Sequence, residues 1–251
     1  MVATLLVLDG RLAVISGGSG AIGLGAAEAL ACAGARILLC GRDRGRLEAA
    51  RRALPSDANV AVEPGDVREQ ADLDRLASIT DSMGGVDILI NSIGVQRRRP
   101  ILEATSEDLE YVWGVNVAGV FAITRALLPQ MVAKGYGKIV NVCSIGSFMG
   151  LDGKTVYAIT KGALAQYTRS SAVELARYGI RVNGIAPGYV DTPMTHDFIH
   201  SEREPEYLAR IPLGRFASVE DLKGTFVFLA SPASDYMIGQ LLVLDGGQTI
   251  W

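Results

Sequence analysis

The sequence predicts a doubly wound α/β fold, a parallel sheet of seven strands with helices packed on both faces. Three observations predict it. Short apolar runs alternate with longer segments of helical period, the runs are apolar at nearly every residue, and a glycine-rich turn joins the first run to the first helical segment. A strand that is apolar throughout needs cover on both faces, and helices returning by right-handed crossovers supply it. In chain order the strands are "RLAVIS" (11–16), "ARILLC" (35–40), "NVAVE" (59–63), "VDILIN" (86–91), "KIVNVCS" (138–144), "IRVNGIAP" (180–187) and "LLVLD" (241–245). Between them, Ala21–Ala33, Arg44–Leu54, Glu69–Met83 and Ser106–Ala133 carry helical periodicity. A chain of 251 residues, 49% hydrophobic, can bury one full core, and no repeat or low-complexity linker divides it, so one domain over residues 1–251 is expected.

A net charge of -3 gives no global attraction to nucleic acid or to an anionic membrane, so any anion site must be a local basic cluster. The N-terminal "MVATLLVLDGRLAVISGG" lacks a basic start and is interrupted by Asp9, Gly10 and Arg11, which fits neither a signal peptide nor a membrane span. Cys32, Cys40 and Cys143 each sit in an apolar run without close spacing, which predicts buried, reduced thiols and a cytoplasmic protein.

In a doubly wound sheet the ligand lies beyond the carboxyl ends of the strands, so the residues after each run are the candidates. After the first run come Gly17, Gly18, Ser19, Gly20, Ala21, Ile22 and Gly23, opening an alanine-rich helix. Glycines let backbone N–H groups approach a pyrophosphate, and the helix N-terminus attracts its charge, so a dinucleotide fits. After the second run, Gly41 and Arg42 offer no carboxylate for ribose hydroxyls but a guanidinium suited to a 2′-phosphate, which favours NADP(H) over NAD(H). Asp66, after the third run, suits either the adenine amino group or the cap of the next helix.

The segment "SIGSFMGLDGKTVYAITKGAL" places Ser144 at a strand end, then Tyr157 and Lys161 four apart on one helical face. A tyrosine of ordinary pKa about 10 is a poor base, but a neighbouring ammonium and an oxidised nicotinamide both favour its phenolate. Tyr157 can then exchange a proton with an alcohol or carbonyl oxygen that Ser144 orients, while Lys161 also holds the nicotinamide ribose. Asn116, a polar residue in the apolar "VWGVNVAGVF", suits either a water relay from Lys161 or a packed amide.

Taken together, "SGGSGAIG", "NSIG", "VNVAGVF", "NVCSIGS", "YAITK", "RVNGIAPGYVDTPM" and "LDGG" resemble the short-chain dehydrogenase/reductase superfamily in order and spacing, across almost the whole chain. The resemblance implies a Rossmann sheet, a catalytic tetrad of Asn116, Ser144, Tyr157 and Lys161, and a homotetramer. It extends the cofactor-binding set to Val67, Asn91, Gly94, Pro187, Gly188, Val190 and Thr192. Two positions depart from the family pattern: Ala21 replaces the second turn glycine, and "NSIG" puts Ile93 where the cofactor ribose passes.

Within the superfamily, "GVQRRRP", "NVCS" and "RIPLGR…EDLKGTFVFLAS…GQLLVLDGG" resemble gluconate 5-dehydrogenases and related sugar-acid reductases. That resemblance implies a small polar ketone or alcohol substrate, and it puts Arg98 first and Arg97 second as carboxylate contacts beside Ser144 and Tyr157. A planar guanidinium can grip a carboxylate at two points, although an arginine run before a proline also suits a solvated loop. Residues 191–217 occupy the place of a substrate lid, and His196 and His200 within them lack the zinc-hydrolase glutamate, so no metal is expected. Two other functions compete: a 3-oxoacyl-thioester reductase whose arginines meet an acidic carrier protein, and a non-catalytic NADP(H) sensor.

Overall fold

The computed structural model describes residues 3–251. Its seven strands are β1 (Leu12–Ser16), β2 (Arg36–Gly41), β3 (Val60–Pro64), β4 (Ile88–Asn91), β5 (Gly137–Val142), β6 (Ile180–Pro187) and β7 (Leu241–Leu244). They pair in parallel throughout, in the order β3-β2-β1-β4-β5-β6-β7, the doubly wound sheet that the alternating pattern predicts. The order reverses between β1 and β4, which opens a crevice at their carboxyl ends.

Among the described residues are nine α-helices: α1 (Ala21–Cys32), α2 (Arg44–Ala53), α3 (Gln70–Ser82), α4 (Ser106–Trp113), α5 (Val120–Lys134), α6 (Thr155–Leu175), α7 (His196–Ile199), α8 (Glu204–Leu208) and α9 (Glu220–Ala230). The period-two alternation of each strand divides the core between two faces. Ala13, Ile15, Ile37 and Leu39 pack on one side with Leu30 of α1 and Phe226 of α9. Leu12, Val14, Leu38 and Cys40 pack on the other with Leu76 of α3, Leu127 of α5 and Ala172 of α6. Each large apolar side chain so buried contributes about 1.5–3 kcal/mol.

Two expectations change here. The single helix anticipated over 106–133 is instead α4 and α5 joined by a π-helical turn at Gly114–Gly119, started by a Thr105/Asp108 capping box. The combined stretch Ser106–Lys134 has the length and hydropathy to cross a membrane, yet Val120, Ile123, Leu127 and Met131 are fully buried in the protein and Asn116 sits in its middle. It is a core helix. Of the three cysteines, Cys40 and Cys143 are buried but Cys32 is exposed, because its position in α1 lies opposite the face that buries Leu30. Burial pushes the Cys143 thiol up to about 11, so it stays protonated at neutral pH.

The parallel register sets polar residues side by side at the crevice floor: Ser16 opposite Asn91, and Asn91 opposite Asn141. Ser16 Oγ donates to Asn91 Oδ1, Asn91 Nδ2 donates to Asn141 Oδ1 and to Thr124 Oγ1, and Asn141 Nδ2 donates to Thr168 Oγ1. This buried ladder ties β1, β4 and β5 to α5 and α6, with every polar group it buries satisfied by a neighbour.

Candidate active site

At the end of β1 the chain turns through Gly17, whose φ of +73° and whose contact with the Ser92 backbone leave no room for a side chain: a Cβ would lie 2.8 Å from that peptide. A Cβ on Gly23 would collide with the Gly17 carbonyl, so the helix can pack this tightly on the turn only with glycine there. Gly20 caps α1 without a side chain, and the first helical bond runs from Leu24 N–H to Gly20 O at 2.8 Å. The N–H groups of Ala21, Ile22 and Gly23 precede that ladder, so they are available to an anion. Ser19 sits beside Gly41, where a Cβ would lie 3.8 Å from its Oγ.

The carboxylate nearest the end of β2, Asp43, is committed to capping α2 by accepting from Arg46 N–H at 3.0 Å. Arg42 is exposed and has neither an ion pair nor a hydrogen bond among the described residues. Free donors at the helix start and an unpaired guanidinium one strand away fit a dinucleotide with an extra phosphate. Asp66 does not cap α3, whose N-cap is Glu69. It takes Arg68 at 2.6 Å, and hydrogen bonds from that side chain hold its carboxyl below the usual range. Val67 packs against Gly119 of the π-turn. The Asn91 side chain is fully buried in the polar ladder, so only its backbone can face the crevice.

Asn116, Tyr157 and Lys161 come close together past the ends of β4 and β5, and Ser144 follows β5. Asn116 Oδ1 accepts from Val95 N–H at 2.8 Å, and its Nδ2 donates to Val95 O and to Thr160 Oγ1, at 2.9 and 3.1 Å. The π-turn presents this amide so that it clamps the segment after β4 to α6. Lys161 is buried, its Nζ donates to Val142 O at 2.6 Å, and it lies 5.6 Å from the centroid of the Tyr157 ring. Ser144 follows β5 and accepts from Gly146 N–H at 3.1 Å. Gly94 closes the group: a Cβ there would stand 3.7 Å from Lys161 Nζ and 3.8 Å from Asn116 Oδ1. That gap, bounded by an ammonium and an amide oxygen, suits ribose hydroxyls.

β6 ends at Pro187, and Gly188 leads on into the 191–217 segment, running so close to Asp245 that a Cβ would lie 2.9 Å from it. The lid closes on itself: Asp191 N–H donates to Ala217 O at 2.8 Å and Ala217 N–H to Tyr189 O at 2.9 Å. Thr195 Oγ1 donates to Val190 O and Thr192 N–H donates to Thr195 Oγ1, which fixes the Val190–Thr192 strip. Rings of Tyr189, Phe198, Tyr207 and Phe216 pack together between Gly188 and α9. Asp191 joins the two histidines, accepting contacts from His196 Nδ1 at 3.0 Å and His200 Nε2 at 2.9 Å, all three residues being exposed.

The three arginines separate. Arg97 and Arg99 lean toward Asp108 of α4, at 4.0 and 3.4 Å, and Arg97 also faces the Tyr111 ring. Arg98 turns the other way, its guanidinium 3.6 Å over the centroid of Phe198. Arg97, the second carboxylate candidate, is thus engaged by α4 rather than by the lid. Alternation along an extended segment puts 97 and 99 on one side and 98 on the other. Sequence reasoning missed Lys154, Tyr189, Phe198 and Thr160. Lys154 carried only a spacing signal, three residues before Tyr157 and seven before Lys161, and nothing in the sequence showed its burial.

A Rossmann sheet with this crevice and an Asn-Ser-Tyr-Lys constellation defines a nicotinamide-dependent oxidoreductase. The chain belongs to the short-chain dehydrogenase/reductase family, residues 17–249 matching the family model described as enoyl-(acyl carrier protein) reductase. It is 40% identical to the gluconate 5-dehydrogenase of Gluconobacter oxydans, over 98% of this chain and 97% of that one. It is 37% identical to the 5-keto-D-gluconate 5-reductase of Escherichia coli, over 98% of each. A gluconate 5-dehydrogenase from Burkholderia cenocepacia, solved with NADP and tartrate, superposes with a TM-score of 0.95 at 36% identity over the whole of both chains.

Proposed function

We propose that the protein is an NADP(H)-dependent dehydrogenase and reductase that interconverts a secondary alcohol and a ketone on a sugar acid of the gluconate/5-ketogluconate class. The observation that carries the substrate class is Arg98: a guanidinium held on a lid ring, with no acidic partner among the described residues. Its two parallel donors match a carboxylate, and the reacting carbon of a sugar acid stands several bonds from that group.

NADP(H), when bound, supplies or takes up the hydride. The N–H groups of Ala21–Gly23 would hold its pyrophosphate, Arg42 its 2′-phosphate, Lys161 its ribose, and the Val190–Thr192 strip its carboxamide. In the oxidative direction Tyr157 accepts the hydroxyl proton while the carbon loses hydride, and in reduction it returns a proton to the carbonyl oxygen. Ser144 donates to that oxygen and holds it in line with Tyr157. Lys161 places a positive charge near the ring on which phenolate charge develops. Asn116 keeps Val95 and Thr160 in register with this group and lies where a water could be ordered beside Lys161.

Exposed Trp113 and Phe121 near the α4/α5 turn, with Val173 on α6 and Ile250 and Trp251 at the C-terminus, support a homotetramer, which light scattering would test. Two buried thiols suit the cytoplasm. The direct test of function is a panel of sugar acids, neutral polyols and acetoacetyl thioesters followed by NADPH absorbance. Preferential turnover of gluconate or 5-ketogluconate is expected; preferential turnover of the thioester would move the protein to the fatty-acyl reductase reading.

A further inference from the structure

The cleft holds a second cation that neither the tetrad nor Arg98 accounts for. Lys154 is only 6% exposed and, among the described residues, its ammonium has no hydrogen-bond acceptor or carboxylate. It lies 4.2 Å from the centroid of Phe198 and 5.2 Å from that of Tyr189. Because Arg98 lies over the same Phe198 ring, the two charges are no more than about 8 Å apart. Lys154 is also the N-cap of α6, a helix of 21 residues with no acidic residue in its first turn and no side chain capping it. A cation at that end opposes the helix dipole, which favours an anion there.

Three features therefore disfavour the free site: a largely buried lysine with no acidic partner among the described residues, a second cation close by, and the positive end of a long helix. One anionic group relieves all three. Lys154 immediately precedes α6, three residues before Tyr157.

Resting on the sugar-acid reading above, we infer that Lys154 and Arg98 together form the subsite for the substrate's carboxylate, with α6's N-terminus behind it, and that Lys154 sets the preference for acids over neutral analogues. Phe198 lies against both cations and Tyr189 against Lys154 alone, so the pull on the anion is strengthened most at the buried ammonium, while Arg98 remains exposed.

The experiment compares gluconate with gluconamide, its neutral isostere, by ligand-observed NMR titration of NADP-loaded protein. A Tyr157→Phe background prevents turnover. The unsubstituted subsite is expected to prefer gluconate at least about thirtyfold. Lys154→Met is expected to cut that preference at least about tenfold and to move the gluconamide Kd less than about threefold, while Lys154→Arg retains most of it. Arg98→Met should lower the preference similarly. NADP affinity and circular dichroism establish that each variant is folded. An unchanged preference in Lys154→Met, equal losses for both ligands, or equal or absent binding of both ligands at the start would overturn the inference. Wild-type turnover separates the two readings. If no sugar acid is turned over but the Lys154-dependent preference stands, the subsite survives and the proposed function falls. Turnover of a sugar acid with an unchanged preference leaves the function standing and removes the subsite.

Discussion

The two ends of the crevice are made of different materials. The end beyond β1 is backbone: a φ of +73° at Gly17, a peptide that touches Ser92, and free N–H groups at the start of α1, with Arg42 an unpaired charge beside it among the described residues. The end under the lid is side chain: Arg98 and Lys154 against the rings of Tyr189 and Phe198, brought from three separate stretches of chain. A backbone site recognises a shape and tolerates almost no substitution, because adding one carbon moves the main chain. A side-chain site can be retuned one residue at a time, so substrate choice can differ among proteins that share the cofactor end.

Tyr157 serves both ends, and its loss should have the largest effect. Tyr157→Phe is expected to lower kcat by about three orders of magnitude with NADPH affinity within about threefold of wild type, as measured by steady-state kinetics and fluorescence titration. Retained turnover would remove Tyr157 from the chemistry. Next comes the backbone end: Gly23→Ala drives a methyl into the Gly17 carbonyl, so NADPH affinity should fall about 100-fold and stability by ~2 kcal/mol in a urea melt. The preference for gluconate over gluconamide should survive, if the two ends are as separate as their construction implies.

The lid end should instead respond to pH. Burial, with Arg98's charge adding, pushes the Lys154 ammonium down to about 8. The titratable groups that face it are Arg98 after β4 and Tyr189 after β6; Tyr207 and Arg203 act on Tyr189 in turn. The sign follows directly: below pH 7 the ammonium is present and holds the carboxylate, and it is lost as pH rises through 8. The kcat/KM of gluconate relative to gluconamide should therefore fall about tenfold by pH 9, and Lys154→Arg should flatten that fall. A ratio constant from pH 7 to 9 would remove Lys154 from the carboxylate site. At the cofactor end, Arg42→Ser should raise the NADPH Kd about tenfold and leave that of NADH unchanged.

How much of this was legible in the sequence depended on how local the cause was. The glycine turn and the Tyr157/Lys161 spacing sit within single segments, so pattern alone located them. Asn91 reads as the polar end of an apolar strand, but its burial follows from the register of β1, β4 and β5, which no single segment encodes. The π-turn at Gly114–Gly119 carries no compositional mark within "VWGVNVAGVF", yet it determines where Asn116 points. Lys154 looks like an ordinary solvated helix start until the lid delivers Phe198 and Tyr189 against it. Cys32 failed for a simpler reason: an apolar neighbourhood on a helix says nothing of which face a residue occupies.

The smallest expected effect is the sharpest test of the side-chain end, because it lies within one arginine run. Arg97 and Arg98 are adjacent and chemically identical, and composition cannot separate them. Arg97 is more than half exposed, and its nearest carboxylate, Asp108, is 4.0 Å away and shared with Arg99. An exposed pair of that kind contributes at most about 0.5 kcal/mol, so Arg97→Ala should change the KM for gluconate by less than about threefold. Arg98, turned to the lid and lacking any acidic partner among the described residues, should raise that KM at least tenfold more than Arg97 does when each is changed to alanine. Equal effects would mean that the whole run acts as a diffuse positive field at the cleft mouth, and raising the salt concentration would then abolish both. Unequal effects that persist in high salt would mark a single guanidinium in direct contact with the carboxylate.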